Sequence, residues 1–286
     1  MKFNEINIRD PFVLPFEGKY YMYGTRGSTT FGYATGFDVF VSEDLENWSE
    51  GHSIFEASPA FWADRNFWAP EVHAYRGKFY MFASFKAENV CRGTQILVAD
   101  TPMGPFVPLT DEPVTPRDWE CLDGTFYVSP DGKPYMVFCH EWTQVKDGEM
   151  CVIELTPDLK AAASEPRLLF RASEPHWASW NHVKDCYVTD GPFLYRTKEG
   201  RLLMIWSSFV GEDYVEAIAA SDNDDITGNW VHLTDLLFEK NGGHGMIFRT
   251  LEGELRFIMH APNHPAGAER PHLVALKEEN GTLWVV

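Results

Sequence analysis

The chain repeats a pattern of two apolar strands separated by a short polar turn. In each copy the turn ends in glycine, and the second strand is rich in aromatic residues and methionine. The five copies span residues 10–25, 69–84, 123–138, 190–206 and 243–259. Their turn glycines, which lie between 53 and 68 residues apart, are Gly18, Gly77, Gly132, Gly200 and Gly253. Because repeats of several strands are typical of β-propellers, the pattern predicts an all-β, five-bladed β-propeller.

Weaker strand patterns lie between these copies. Segments 38–48, 94–106 and 215–230 each join an apolar strand to a polar turn and an aromatic residue, and segments 149–160 and 271–285 are similar. These segments predict the outer strands of the blades. Because the repeats fill the chain from end to end, we predict a single domain, residues 1–286.

The first strand of a propeller blade lies nearest the central axis, so the residues at its start face the channel. Those residues are Asp10, Ala69 (with its neighbour Glu71), Asp123, Asp190 and His244. A carboxylate in a narrow channel is costly, because it loses solvent and lies near like charges. Although aspartate is also common in surface turns, three aspartates at equivalent repeat positions favour a functional site.

The net charge of −18 disfavours nucleic acids and anionic membranes as partners, because both bind basic surfaces. The sequence contains no apolar run long enough to span a membrane. Its first ten residues lack the apolar run of a secretory signal, and the five cysteines show no CxxC spacing. We therefore expect a cytoplasmic protein with reduced thiols that acts on neutral or weakly charged small molecules.

Five segments, in order along the chain, resemble glycoside hydrolase family 43. They are RDPFVLPFEGKYYMYGT (9–25), FWAPEV (67–72), LDGTFYVSPDGKPYMVF (122–138), TDGPFLYRTKEG (189–200) and GGHGMIF (242–248). Each motif alone is weak, but five in order on five repeats are specific. The resemblance implies a five-bladed propeller that hydrolyses glycosidic bonds.

The resemblance also implies which carboxyl groups act. Inverting hydrolysis needs a protonated carboxyl group for the leaving oxygen and an ionised carboxylate that activates water. The family pattern implies that Asp10 is this base and that Asp123 raises the pKa of the acid and orients it. The family's usual acid is a glutamate, which is Asp190 in this chain and is shorter by one methylene. Three hypotheses stay open: Asp190 still reaches the substrate, Glu141 supplies the acid, or the activity is lost.

Other residues are candidates for substrate contacts. Trp68 is the best sugar-stacking candidate, followed by Phe31 and Trp142, because aromatic faces stack on sugar C–H groups. An aromatic residue on a strand is, however, more often part of the core. Arg270 resembles the arginine that family members use to keep the base ionised, although a surface arginine is the simpler interpretation. His140 is a further candidate at the rim of the channel.

His244 corresponds to a family histidine that, in many members, helps to hold a calcium ion through water. Calcium prefers oxygen ligands, so one histidine makes a weak site. We therefore expect no required cofactor, with a structural calcium ion near His244 as the alternative to a purely hydrogen-bonded role.

Together these features predict an exo-acting, inverting hydrolase of short pentose-containing oligosaccharides. The family's common substrates are α-L-arabinofuranosides and β-D-xylosides, and the motifs do not separate them. The alternatives are a catalytically inactive carbohydrate-binding propeller, a purely structural propeller, and a related furanosidase or galactosidase. The related five-bladed sucrose and fructan enzymes usually begin with an Asn-Asp-Pro-Asn motif, which segment 9–12 does not match.

Overall fold

The computed structural model describes residues 1–286 and shows five consecutive four-stranded sheets. Blade I contains β1 (Ile8–Phe16), β2 (Lys19–Arg26), β3 (Gly36–Ser42) and β4 (His52–Glu56). Blade II contains β5 (Arg65–Tyr75), β6 (Lys78–Ala87), β7 (Val90–Ala99) and β8 (Val107–Pro108). Blade III contains β9 (Cys121–Val128), β10 (Pro134–His140), β11 (Glu149–Glu154) and β12 (Arg167–Arg171).

Blade IV contains β13 (Asp190–Arg196), β14 (Leu202–Val210), β15 (Asp213–Ser221) and β16 (Trp230–His232). Blade V contains β17 (Gly243–Arg249), β18 (Leu255–Ala261), β19 (Arg270–Glu279) and β20 (Thr282–Val285). The other elements are a one-turn helix, α1 (Trp142–Val145), and two 3-10 turns, Phe3–Glu5 and Gly27–Thr29. None of these helical elements has the length and hydrophobicity needed to span a bilayer.

Strands pair with their neighbours in chain order within every blade, and all of these pairs are antiparallel. The predicted all-β, five-bladed propeller is therefore confirmed. The five turn glycines of the repeat all have φ between 77° and 90°, a region that glycine enters without side-chain strain. These glycines are local signals for the hairpin that starts each blade.

Aromatic side chains fill the space between blades. The largest cluster joins blades I and II, where the rings of Phe37, Phe55, Phe67 and Phe85 have centroids between 4.8 and 6.3 Å apart. Full burial of a phenylalanine side chain contributes about 1.5–3 kcal/mol, so this packing fixes how neighbouring blades sit.

Each inner strand bends at its start, where its pairing with the second strand shifts register. The residue at the bend has φ between 47° and 55° in all five blades; these residues are Asp10, Ala69, Asp123, Gly191 and His244. Asp190 was predicted at this position but precedes it by one residue. Gly191 accommodates the left-handed bend without a side chain, and Asp190 instead pairs with Ser207 on β14.

The bend turns a backbone N–H toward the preceding blade, where a side chain on the second strand accepts it. The acceptors are Thr25 for Ala69 (2.8 Å), Ser84 for Asp123 (2.9 Å), Ser207 for His244 (2.7 Å) and His260 for Asp10 (3.2 Å). These hydrogen bonds join blade to blade around the axis.

Blade III breaks this pattern. Cys139 occupies the equivalent place on β10, opposite Leu122, and a thiol is a weak acceptor. The N–H of Gly191 bonds Asp123 Oδ2 instead, at 3.1 Å. Because Cys139 replaces the stronger acceptor of the other blades, the N–H of Gly191 is left for Asp123, which thereby gains a fixed backbone partner.

Blades V and I close the ring without sharing a strand, because β17–β20 all come from the C-terminal part of the chain. Side chains make the closure. Asn7 Nδ2 donates to the Glu269 carbonyl at 2.8 Å, and Arg9 Nη1 pairs with the Glu269 carboxylate at 2.8 Å. This carboxylate is buried, so the ion pair is a specific part of the seam.

Replacing Thr25 with valine is expected to destabilise the fold by about 1–3 kcal/mol, because two buried groups lose their partner. The Thr25 hydroxyl donates to Asp10 Oδ2 at 2.5 Å and accepts the N–H of Ala69. Urea unfolding of the variant measures the change. Thr234→Val, at an exposed position, is the control, and equal stability of the two variants would contradict the expectation.

Candidate active site

A pocket of about 230 Å³ opens where the inner strands begin. Eight of the ten predicted site residues line it: Asp10, Phe31, Trp68, Asp123, Glu141, Trp142, Asp190 and His244. The structure therefore brings together all the candidate acids and bases and all three candidate stacking residues. His140 and Arg270 lie outside its wall.

Asp10 is buried beside the side chains of His244, His260 and Arg9. Its Oδ1 lies 3.3 Å from Nδ1 of His244 and 3.3 Å from Nδ1 of His260. Burial alone would raise the pKa of Asp10, but His244, His260 and Arg9 together hold this pKa below its ordinary value. Asp10 is therefore ionised, as a general base requires.

A chain of polar groups supports His260 from behind. Its Nε2 lies 3.1 Å from Oδ1 of Asn263, and this oxygen accepts a hydrogen bond from Arg9 Nη2 at 2.8 Å. Arg9 continues the chain to Glu269. Asp10 is thus linked to the seam between blades V and I.

Arg270 does not fill the role that the family resemblance implied. Its Nη1 donates to the backbone carbonyls of Gly267 (3.2 Å) and Glu269 (2.7 Å), away from the pocket wall. The guanidinium near Asp10 belongs to Arg9, its own chain neighbour. The prediction is corrected because the segment before β19 turns the Arg270 side chain onto its own backbone.

Asp123 and Asp190 form a pair of neighbouring carboxyl groups. One ligand atom from each, together with a His244 ring nitrogen, lies within 4.8 Å of the others. Burial raises the pKa of Asp123 to about 6, and the charge of Asp10 acts in the same direction. Burial and the neighbouring Asp123 raise the pKa of Asp190 well above its ordinary value. Both members of the pair therefore hold a proton more readily than an aspartate in solvent does.

Burial distinguishes the three aspartates. Asp10 is 8% exposed and Asp123 is 6% exposed, whereas Asp190 is partly exposed to the pocket. A general acid must reach the leaving oxygen, so Asp190 has the exposure and protonation that this role needs.

Glu141 is also buried in the pocket wall, at the start of α1, and is not a solvated rim residue. Its Oε2 lies 3.5 Å from Arg92 Nε. Burial raises the pKa of Glu141, and the charge of Arg92 opposes this rise. Both acid candidates thus reach the pocket, but the carboxyl group that lies beside Asp123 is that of Asp190.

The sequence profile of Glycosyl hydrolases family 43 matches residues 4–277. The chain belongs to this family. A crystal structure described as an endo-arabinase from Bacteroides thetaiotaomicron VPI-5482 shares 37% sequence identity with it. That comparison covers 98% of each chain and has a TM-score of 0.91.

Two curated proteins match a shorter part of this family-43 chain. A protein from Bacteroides ovatus named "Xylosidase/arabinosidase" is 27% identical over 136 residues, which are 42% of each protein. A protein from Bacillus subtilis (strain 168) named "Extracellular endo-alpha-(1->5)-L-arabinanase 1" is 24% identical over 50% of this chain and 46% of the relative. The chain thus spans less than half the length of either curated relative.

The aromatic residues of the family-43 pocket have different surroundings. The Arg92 guanidinium covers one face of Trp68, with Cζ 3.8 Å from the ring centroid, and the indole N–H donates to the Thr30 carbonyl at 2.6 Å. Phe31 meets Trp68 edge to face and is 67% exposed. The Trp68 ring is therefore fixed in the pocket wall, and Arg92 covers one of its faces. Phe31 and Trp142 also line the pocket.

His140 supports the pocket without lining it, which corrects its assignment as a substrate contact. Its ring nitrogens lie 3.0 Å from Glu149 Oε2 and 2.9 Å from Gln144 Oε1. The ring also stacks on Trp119, with centroids 4.2 Å apart. Because Gln144 is part of α1, these contacts hold the helix that carries Trp142.

His244 was predicted near a structural calcium ion. Its Nδ1 faces Asp10 at 3.3 Å and Asp123 at 3.7 Å. Calcium takes about six to eight oxygen ligands, and the carboxylates nearest His244 are those that hydrolysis itself needs. These protein groups fit a calcium shell poorly, and the ion stays a prediction.

Several residues of the site are not among the predicted ones. The pocket wall also contains Arg9, Thr30, Leu122, Val188 and Thr189. Arg9 had an available signal, since it precedes the predicted base in the first motif. His260 had none, because it reaches Asp10 from β18, 250 positions away in the chain.

The pKa of Asp123 predicts how stability depends on pH. Since folding raises this pKa from 3.8 to about 6, the unfolded chain releases the proton first, and stability falls as pH rises between these values. The fall is about 2–3 kcal/mol. Asp123→Asn is expected to reduce this loss of stability, which is measured as the difference in the free energy of unfolding by urea at pH 4 and pH 7. An unchanged difference between the two pH values would contradict this expectation.

Proposed function

We propose that this protein is an inverting glycoside hydrolase that releases a pentose from the non-reducing end of short oligosaccharides. One observation carries the proposal: a single pocket contains Asp10, which lies against two histidines, and Asp190, which lies beside Asp123. These surroundings favour an ionised Asp10 and a protonated Asp190. Inverting hydrolysis uses one carboxylate to activate water and one carboxyl group to protonate the leaving oxygen.

In the proposed reaction, Asp10 takes a proton from water as the water oxygen attacks the anomeric carbon. The bond from that carbon to the glycosidic oxygen breaks, and Asp190 gives its proton to this oxygen. Asp123 keeps the proton on Asp190 until that step, because two adjacent carboxyl groups do not both ionise readily. Exchange with solvent then returns Asp10 and Asp190 to their starting states.

Asp190 is the proposed acid, and Glu141 is proposed to bind substrate hydroxyl groups. Asp190 lies beside Asp123, and burial together with this neighbouring carboxyl group raises the pKa of Asp190, which favours its protonated form. Glu141 instead lies beside Arg92, whose positive charge favours the ionised carboxylate. Burial raises the pKa of Glu141 in spite of this charge, so the assignment rests on position: Glu141 pairs with Arg92, whereas Asp190 lies beside Asp123.

Pocket size supports exo action. A volume of about 230 Å³ is below the roughly 300–1,000 Å³ of sites for larger ligands, so it suits about one sugar unit. The name of the structural neighbour, an endo-arabinase, supports the opposite mode, cleavage inside a chain. Analysis of the first products is therefore part of the test.

Relatives named for arabinose and xylose support a pentose as the sugar released. Among pentosides we place α-L-arabinofuranosides before β-D-xylosides. The net charge of −18 suits a neutral oligosaccharide partner. Cytoplasmic action on imported oligosaccharides stays a prediction, and one relative is named as extracellular.

The test uses nitrophenyl pentosides and matching oligosaccharides with wild type, Asp10→Asn, Asp190→Asn and Glu141→Gln. We expect Asp10→Asn to lose about 10²–10⁴-fold in kcat on both substrate types. Asp190→Asn should lose a similar factor on oligosaccharides but little on nitrophenyl pentosides, because nitrophenolate leaves without a proton. Glu141→Gln should raise KM on both.

Asp111→Asn, at an exposed position, is the control for loss of a carboxylate. If Glu141→Gln shows the selective loss instead, Glu141 is the acid. Early release of monosaccharide alone supports exo action, whereas early release of longer fragments contradicts it. If wild type turns over no sugar while sugars still raise its Tm, the protein is a binding propeller and the proposal fails.

A further inference from the structure

Tyr214 reaches the proposed acid from the third strand of its blade. The residue lies on β15 and is 1% exposed. Its hydroxyl donates a hydrogen bond to Asp190 Oδ2 at 2.7 Å. Asp190 therefore has a buried partner in its own blade, Tyr214, as well as Asp123 in the neighbouring blade.

Packing leaves the Tyr214 ring little freedom. It stacks on the His260 ring, with centroids 5.7 Å apart and planes 19° from parallel. A Cβ atom added at Gly243 would lie 2.9 Å from the tyrosine Cε1, closer than side chains normally approach. The phenol is thus clamped between β18 and β17, and its hydroxyl has a fixed position.

Hydrogen-bond chemistry then assigns the proton of Asp190. A tyrosine hydroxyl has one proton, and here Asp190 Oδ2 accepts it. In a protonated carboxyl group the carbonyl oxygen is the better acceptor of the two. This bond therefore favours Oδ2 as the carbonyl oxygen and Oδ1 as the oxygen that carries the transferable proton.

We propose that Tyr214 is a positioning residue for Asp190, which fixes the carboxyl rotamer and keeps the transferable proton on Oδ1. The catalytic consequence rests on the proposed hydrolase function, but the contact itself does not. A rigid donor suits an acid one methylene shorter than the usual glutamate, because an error of about 1 Å in placement costs on the order of a hundredfold in rate. Tyr214 thus offers an explanation of how an aspartate serves in this position.

Other charged groups also act on Asp190 and must stay constant in a test. The surrounding titratable groups are Asp123, His244, Glu141 and Glu216. Tyr214→Phe removes one hydroxyl and leaves all four in place. Tyr23→Phe is a matched control, since Tyr23 is fully buried and its hydroxyl donates to the Pro102 carbonyl at 2.9 Å.

Tyr214→Phe is expected to lower kcat on oligosaccharides by about tenfold, with little change in KM. The loss on nitrophenyl pentosides should be under about threefold, because their leaving group needs no proton. The basic limb of the pH profile should move to higher pH, since ionised Asp190 loses a donor. Equal losses on both substrates with an unmoved limb would overturn the proposal, as would the same behaviour in Tyr23→Phe.

A second measurement separates this inference from the proposed function. The pKa of Asp190, followed by ¹³C NMR of its carboxyl carbon and assigned with Asp190→Asn, should be higher in Tyr214→Phe than in wild type. In wild type, a slowly exchanging hydroxyl proton of Tyr214 should shift as Asp190 titrates. If wild type hydrolyses no sugar, the hydrolase proposal fails, and these titrations still decide the role of Tyr214. An unchanged Asp190 titration, or a hydroxyl signal that ignores it, refutes the role.

Discussion

The left-handed bend at the start of every inner strand is the constraint on which the site depends. Such a φ is strained for residues other than glycine, at a cost of about 1–2 kcal/mol. The bend also turns a buried N–H toward the neighbouring blade, where it must be paired. Thr25, Ser84, Ser207 and His260 pair it in four blades, and Asp123 pairs it at Gly191 in the fifth, so each bend is tied to the blade before it. Asp10, Asp123 and His244 point to the axis because they occupy these bends.

The departures from this repeat lie next to the proposed acid and base. In blade V the acceptor is a histidine, which adds an imidazole beside Asp10. In blade III Cys139 stands in the place of the acceptor, so Asp123 accepts the N–H of Gly191 and is held next to Asp190. The hydrogen bond that joins ordinary blades is thus altered at two places. One is next to Asp10, where the proposed reaction needs a charged base, and the other is next to Asp190, where it needs a protonated acid.

Local signals in the sequence were sufficient for the blades, because hairpin glycines and apolar strands depend on short-range geometry. They also located Asp10, Asp123 and His244 at the channel. The motif did not predict that Asp190 would lie one residue before the bend of its strand, because a bulge is a property of strand pairing that a motif does not show. Arg270 was misplaced for a related reason: a motif near the last blade does not say whether a side chain faces the axis. The partners His260 and Tyr214 come from other strands, where no local pattern marks them.

The seam between blades V and I has a consequence for how the protein fails when it is heated. No strand crosses this seam, and Asp10 lies on it while its partner His260 lies on the other side. Asp123 and Asp190 belong to adjacent blades, III and IV, that are joined elsewhere in the ring. A partial opening at the seam would therefore separate the base from its imidazole while the acid pair stays intact. The proposed activity would then be lost before the blades themselves unfold, and its loss would report that the ring has opened.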